Sequence, residues 1–240
     1  MRTERLIIAV ATLLMVALTA RLGFWQLDRA AQKTDLQSLQ DQRRQSAAVT
    51  PATLARTPEE AATQWHRPVE LTGHWASAAT VFLENRQMEG RPGFYVVTAF
   101  RLEDGSAVAV QRGWEPRDPR DRTKALSPPV PEGLVRLSGR IAPPPARLYD
   151  LGEVAAGPIR HNLDLSSWAS ETGLALRPLS VMQLGPDGPD DPLQRNWPVP
   201  VADVHKHYGY ALQWFALSAL LVGLYVWFQI LRPRRTLRSA

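Results

Sequence analysis

Two apolar segments bracket the chain, and both carry their arginines on the outer, terminal side. A bilayer core takes roughly 20 mainly apolar residues in a helix. Gly209 to Leu231 supplies such a run with no charged side chain, and Arg232, Arg234, Arg235 and Arg238 follow at once. At the other end, Arg2 and Arg5 precede an apolar run that begins at Leu6. Positive charge beside a span stays in the cytoplasm. Both termini are therefore expected there, with everything from Arg29 to Lys206 across the membrane.

The first run is short enough to raise the question of a signal peptide. Met1-Arg2-Thr3-Glu4-Arg5 would serve as its charged start, and Leu6 to Ala20 as its apolar region. Signal peptidase wants small residues in an A-x-A pattern, and Leu18-Thr19-Ala20 puts leucine where a small residue belongs. The expectation is an uncleaved anchor. It continues through Arg21, which snorkels its head to the interface, to Phe24 and Trp25 in the aromatic belt.

Charge follows the same topology. The formal net charge of +5 resembles a nucleic-acid signal until the arginines are placed. Arg2, Arg5, Arg232, Arg234, Arg235 and Arg238 sit at the two termini and alone exceed that excess, so no nucleic-acid partner is expected. Cysteine is absent, which excludes disulfides, thiolate metal sites and cysteine nucleophiles. The roughly 175 residues between the helices are ample for one domain with its own core.

Between the helices the pattern changes twice. Asp28 to Arg44 is polar, with sparse Leu36 and Leu39, and continues the helix out of the membrane. Ala47 to Thr63 reads as a linker with one short helix near Pro58 to Thr63. From Trp65 the period becomes two: Val69, Leu71 and Gly73 alternate with Glu70, Thr72 and His74. Thr80 to Asn85, Phe94 to Leu102, Ala107 to Arg112, Leu134 to Ile141 and Val181 to Leu184 are further strands. The Asp104-Gly105 pair marks a hairpin. Asp164 to Gly173 has Leu165, Trp168 and Ala169 at helical spacing, and ends on glycine. Pro143-Pro144-Pro145 and Pro186 to Pro192 are loops, with Asp190 and Asp191 solvated. Asp118 to Arg122 alternates in charge as a surface loop does.

The fold expected is a membrane protein. Two transmembrane helices flank one β-rich α+β extracytoplasmic domain, barrel-like rather than a parallel sheet. The first helix spans 6–27, a polar helix and linker 28–64, the domain 65–200, the second helix 208–231 and a basic cytoplasmic tail 232–240.

No G-x-S-x-G elbow, H-E-x-x-H pair, phosphate loop or dinucleotide fingerprint occurs. The informative stretch is His205-Lys206-His207-Tyr208-Gly209-Tyr210-Ala211-Leu212-Gln213-Trp214-Phe215, at the outer mouth of the second helix. An imidazole there can coordinate a transition metal or haem iron, with the adjacent aromatics packing on a porphyrin. Equally, Tyr208, Tyr210 and Trp214 suit an interface belt whose histidines face water. On a helix His207, Ala211, Trp214, Ser218 and Tyr225 share one stripe, whereas His205 lies about 200° away. The first helix carries its own small or polar stripe at Thr12, Val16, Thr19 and Gly23, suited to close packing against Ala211 and Ser218.

Several elements, taken in order, resemble the surfeit locus protein 1 family, whose members assist cytochrome oxidase assembly. They are Gly23-Phe24-Trp25-Gln26-Leu27-Asp28-Arg29, Arg67 to Trp75 with Gly73, Asn85-Arg86, Pro92-Gly93-Phe94, Gln111-Arg112-Gly113-Trp114-Glu115-Pro116, and His207 to Phe215. Two positions depart: Gln111 stands where the family usually has Asn, and His205-Lys206 replaces an Asn-containing pair. The resemblance implies an assembly factor rather than an enzyme. Its bacterial members handle haem a, with the histidine matching His207 as proposed iron ligand. Tyr210 and Trp214 would pack on that haem. Arg112 suits a charge partner such as a propionate or an acidic protein surface, or a structural role beside buried Trp114.

Three functions compete. The first is a chaperone in the cell inner membrane, working with oxidase subunit I and the haem a synthesis machinery. The second is a membrane-anchored scaffold that binds oxidase subunits without touching cofactor. The third is an envelope hydrolase, which the missing catalytic motifs disfavour.

Overall fold

A computed structural model of the protein describes residues 2–118, 120–121, 125, 129–146, 157–186, 191–197 and 204–232. The basic tail after Arg232, Asp190 and part of the Asp118–Arg122 loop lie outside them. The chain divides into two compact units, Met1–Leu39 with Pro200–Ala240, and Gln40–Val199.

Helix α1 runs unbroken from Arg2 to Arg44. Its polar half continues as a helix because Gln, Ala, Leu, Lys and Arg are good helix formers and no proline intervenes; Arg43 and Arg44 in the last turn complement the helix dipole. Helix α4 (Val204–Tyr225) passes into a π-helical turn over Val226–Leu231. Both helices are long and apolar enough to cross a membrane.

The second unit is a mixed sheet of six strands: β1 (Pro68–Met88), β2 (Arg91–Leu102), β3 (Ala107–Pro116), β4 (Val135–Ala142), β5 (Ile159–Arg160) and β6 (Leu176–Gln183). The order is β2-β3-β6-β4-β1-β5, and β1 also pairs with β2, so five strands close on themselves as a barrel. Closure depends on β1. The separate strands expected at Val69–Gly73 and Thr80–Asn85 are one 21-residue strand, bent by register shifts between Ala76 and Thr80 and between Leu83 and Arg86. Its first half pairs with β4 and its second with β2. Gly73 is the changeover, paired with both Val135 and Leu102. A Cβ there would lie 2.0 Å from the Arg101 carbonyl oxygen, so no other residue fits. Most neighbours are antiparallel, but β3–β6 and β1–β5 run parallel, which amends the expectation.

One face of the strands forms the barrel interior. Val69, Leu71, Phe100, Leu102, Val108, Val110, Leu137, Ile141, Leu179 and Val181 pack there in period two. Val49, Leu54, Ala55 and Ala61 complete this core. The segment expected as linker is therefore part of the barrel unit. It carries a 3₁₀ turn (Pro51–Thr53) and helix α2 (Pro58–Gln64). A capping box starts α2: the Glu60 amide donates to Thr57 Oγ1, and Glu60 Oε2 accepts from the Thr57 amide. Arg177, itself buried, fastens the segment by donating to the Leu54 and Ala55 carbonyls, to Ser106 Oγ and to Asp104.

On the outer face Val97, Ala99 and Ala109 meet Trp168 of helix α3 (Leu165–Thr172). Asp164 caps α3, accepting from the Ser167 amide at 2.9 Å and from the Ser166 and Ser167 hydroxyls. These bonds hold its carboxyl down to about 2. Gly173 ends the helix in the left-handed conformation at φ 66°. Asp191, expected to be solvated, is buried instead in an ion pair with Arg195.

Candidate functional site

Within the barrel unit, several of the motifs that carry the resemblance pack around Trp114. Gly113 leaves room for Leu193, whose Cβ would stand 2.6 Å from a Cβ at that position. Trp114 is fully buried, and its indole N–H donates to the Arg86 carbonyl at 2.9 Å. Gly93 is kept bare by the Trp114 ring and the Glu115 carbonyl, 2.4 and 2.2 Å from its would-be Cβ. Arg86 is buried against the Tyr95 ring and donates to the His161 carbonyl at 3.1 Å. Burial pushes the Arg86 guanidinium down and the Tyr95 phenol up from their ordinary values. Arg112 is 1% exposed. Its guanidinium lies over the Trp75 ring, 5.1 Å from the centroid, and donates to the Pro129 carbonyl at 3.0 Å. Both guanidinium groups are thus buried against aromatic rings and donate to backbone carbonyls within the barrel unit.

The helical unit is different. Along α1 the shielded positions include Thr12, Val16, Thr19, Gly23, Gln26 and Ala30. Along α4 they include His207, Ala211, Trp214, Ser218, Leu221 and Tyr225. Both sets step alternately by four and three, the spacing of helices that pack side by side with a left-handed supercoil. The two stripes expected to meet do so. Ser218 Oγ and Thr19 Oγ1 are 2.6 Å apart, and Thr19 is in reach of the Met15 carbonyl at 2.9 Å. Phe24 and Phe215 meet edge to face at 5.2 Å. Gly23 leaves space for the Phe215 ring, 2.7 Å from where its Cβ would be. Beyond Thr19, toward the chain ends, a cavity of about 310 Å³ is lined by Ala9, Thr12, Leu13, Val16, Val222 and Tyr225.

At the opposite end of this seam His207 Nδ1 sits 2.7 Å from Gln26 Oε1. Its Nε2 has no hydrogen-bond partner among the described residues. His205 is exposed in the same turn, as the helical spacing requires. Trp214 lies two turns on along the His207 stripe and is half-buried, whereas Tyr210 is 51% exposed on a neighbouring face. Of the residues expected at the site, the structure thus brings His207 and Trp214 onto one face and Tyr210 onto its flank, while Arg112 lies in the other unit. Sequence reasoning missed Gln26. The signal was present, because Gln26 extends the Thr12-Val16-Thr19-Gly23 stripe by one further step of three.

Among the described residues no three His, Cys, Asp or Glu side chains group as they would around a bare metal ion. A single imidazole would be enough for a haem iron, since a porphyrin brings four nitrogens of its own.

A closed mixed barrel whose chain enters and leaves through two apolar helices defines the class. A sequence model of the SURF1 family matches residues 13–219. The chain belongs to the SURF1 family. It is similar to a SURF1-like protein of Rickettsia bellii, 26% identical over 85% of this chain and 83% of the relative. A SURF1-like protein of Rickettsia felis is 27% identical over 94% and 96%. The cytochrome oxidase assembly protein SHY1 of Saccharomyces cerevisiae is 31% identical over 39% of this chain and 24% of its own length.

Proposed function

We propose that this chain is a membrane-anchored assembly factor for a haem-copper cytochrome oxidase, and that it holds haem a, as cargo, through His207. The assembly role is supported by family membership and by the name of the yeast relative. The haem reading rests on one observation: His207 is tethered at Nδ1 on the α1–α4 seam, while Nε2 has no hydrogen-bond partner among the described residues. Trp214 on the same stripe and Tyr210 beside it offer flat surfaces for a macrocycle. The partners are oxidase subunit I and the enzymes that deliver haem a. Arg112 takes a packing role, since it is buried against Trp75.

The arginines support the orientation. With Arg2 and Arg5 before one helix and Arg232 onward after the other, both termini face the cytoplasm and the barrel faces the opposite side of the inner membrane. A cytoplasm-only reporter should work at either terminus and fail when inserted at the exposed Gly133 turn; activity at Gly133 would reverse the topology.

The deciding experiment is purification of the full chain in detergent from cells that make haem a. Stoichiometric haem a is expected, lost in His207→Ala and kept in His205→Ala, with oxidase maturation impaired only by the first. If His205→Ala strips the haem and His207→Ala does not, the ligand has been misassigned. If neither alters haem but both impair the oxidase, the histidines serve a protein contact and the scaffold reading replaces this one.

A further inference from the structure

The Gln26–His207 contact joins two residues 181 positions apart at 2.7 Å. A neutral imidazole has one protonated and one bare nitrogen, and which is which depends on the partner that one of them finds. Gln26 presents its carbonyl oxygen, which only accepts, so Nδ1 carries the proton and Nε2 keeps the lone pair. We propose that Gln26 is the positioning residue of His207: it fixes the Nδ1–H tautomer and aims Nε2 outward as a metal-ligating nitrogen. The proposal rests on the haem reading for its ligand, and on the geometry alone for the tautomer.

Three features make the contact more than a passing one. Below it the helices are held at close range by the Thr19–Ser218 hydroxyl pair and the Phe24–Phe215 edge contact. Gly23 and Ala211, both on the seam, put no bulk between the two backbones. Gln26 and His207 are both partly shielded from water on the seam, where a hydrogen bond is stronger than in bulk water, so they hold each other. Metal-bound histidines characteristically donate their second N–H to such an acceptor, which orients the ring and makes it a better donor to the metal.

The test uses the full chain in detergent with Gln26→Leu, which keeps the size and removes the acceptor, and Gln26→Glu, which restores an acceptor of higher charge. Nitrogen-15 spectra of the haem-free protein should show His207 with a protonated Nδ1 and a bare Nε2. Gln26→Leu should move the proton toward Nε2, and Gln26→Glu should return it to Nδ1. Titrated with hemin, Gln26→Leu should bind about 10–100-fold more weakly than wild type. Gln26→Glu should bind hemin, with the bound iron's reduction potential lowered by the more electron-rich imidazole. A wild-type His207 protonated at Nε2, or a tautomer unmoved by Gln26→Leu, overturns the proposal. If hemin binds neither wild type nor variants while the tautomer responds as stated, the haem reading fails and the positioning of His207 by Gln26 stands.

Discussion

A fragment that begins at Gln40 and one that begins at Trp65 should differ as a folded protein differs from a barely folded one. Both contain every strand. The shorter lacks Val49 and Leu54, each 2% exposed in the barrel core. Burial of such side chains contributes about 1.5–3 kcal/mol each. It also removes the Leu54 carbonyl, which accepts from the buried Arg177 guanidinium at 3.0 Å. A hydrogen bond to a charged group contributes about 1.5–3 kcal/mol, and leaving the donor unmatched costs more. The Val49 backbone is lost too, which bonds to Pro68 and Glu70 along the open side of β1. The deficit is on the order of 5–9 kcal/mol, against a total stability of about 5–15 kcal/mol for an ordinary domain. Urea titrations of residues 40–199 and 65–199, followed by tryptophan fluorescence and far-ultraviolet circular dichroism, measure the difference directly. A cooperative transition for the longer fragment is expected, with an early or absent one for the shorter. Equal midpoints and equal slopes would show that the segment is an ornament rather than part of the core.

Other expectations follow from single contacts. His66 is held below its ordinary value of 6.5 first by burial and then by Arg44, Arg140 and Arg43. The unfolded chain therefore takes up more protons between that lowered value and 6.5, so stability should rise with pH through this window and level off on either side of it. His66→Asn, which tolerates the φ of 71° there, should flatten that dependence in thermal melts; an unchanged slope would assign it elsewhere. Gly73→Ala should prevent barrel closure, given the 2.0 Å approach to the Arg101 carbonyl, and a native-like melt of the variant would contradict the closure argument. Thr19→Val and Ser218→Ala, made singly and together, should show a coupling of about 0.6–2 kcal/mol in a helix-association assay; strict additivity would mean the hydroxyl pair contributes nothing.

The parts legible in the sequence were those with a sustained period. Two long apolar runs gave α1 and α4, and the small-residue stripes at Thr12-Val16-Thr19-Gly23 and His207-Ala211-Trp214-Ser218 gave the face on which the helices meet. Asp164 and Gly173 marked both ends of α3. What escaped had no period to show. Ala76 to Ala79 is a run of small residues that reads as a break between strands, but it is a bulge inside β1. Strand β6 starts at Leu176, ahead of its apolar run, and Pro178, which donates no hydrogen bond and sits inside the register shift between β3 and β6, conceals that start. The two residues of β5 are too few to leave a pattern. Ala47 to Thr63 looked like a linker because its core contribution comes from isolated side chains, Val49, Leu54 and Ala61, spread among polar neighbours. On the helical unit the place of His207 on the seam was legible from the helix stripe. Gln26 was overlooked although it continues the small-residue stripe by one step of three, since one glutamine between Trp25 and Leu27 looks like interface decoration until its partner is brought to it.

That separation along the chain sets an order of events during synthesis. The α1 surface bearing Thr19, Gly23 and Gln26 is made first, and its counterpart on α4 arrives 181 residues later. At about 5–20 residues per second the interval is roughly 10–35 s. The β1–β2–β3 meander can form within it, but the barrel cannot close until β6 has emerged to lie between β3 and β4. The seam is the last surface to be completed. A chain cut short between Gln183 and His207 holds every barrel strand and an intact first helix, yet it lacks the α4 surface that His207 begins, so a completed seam is itself a report that translation has run into the second helix.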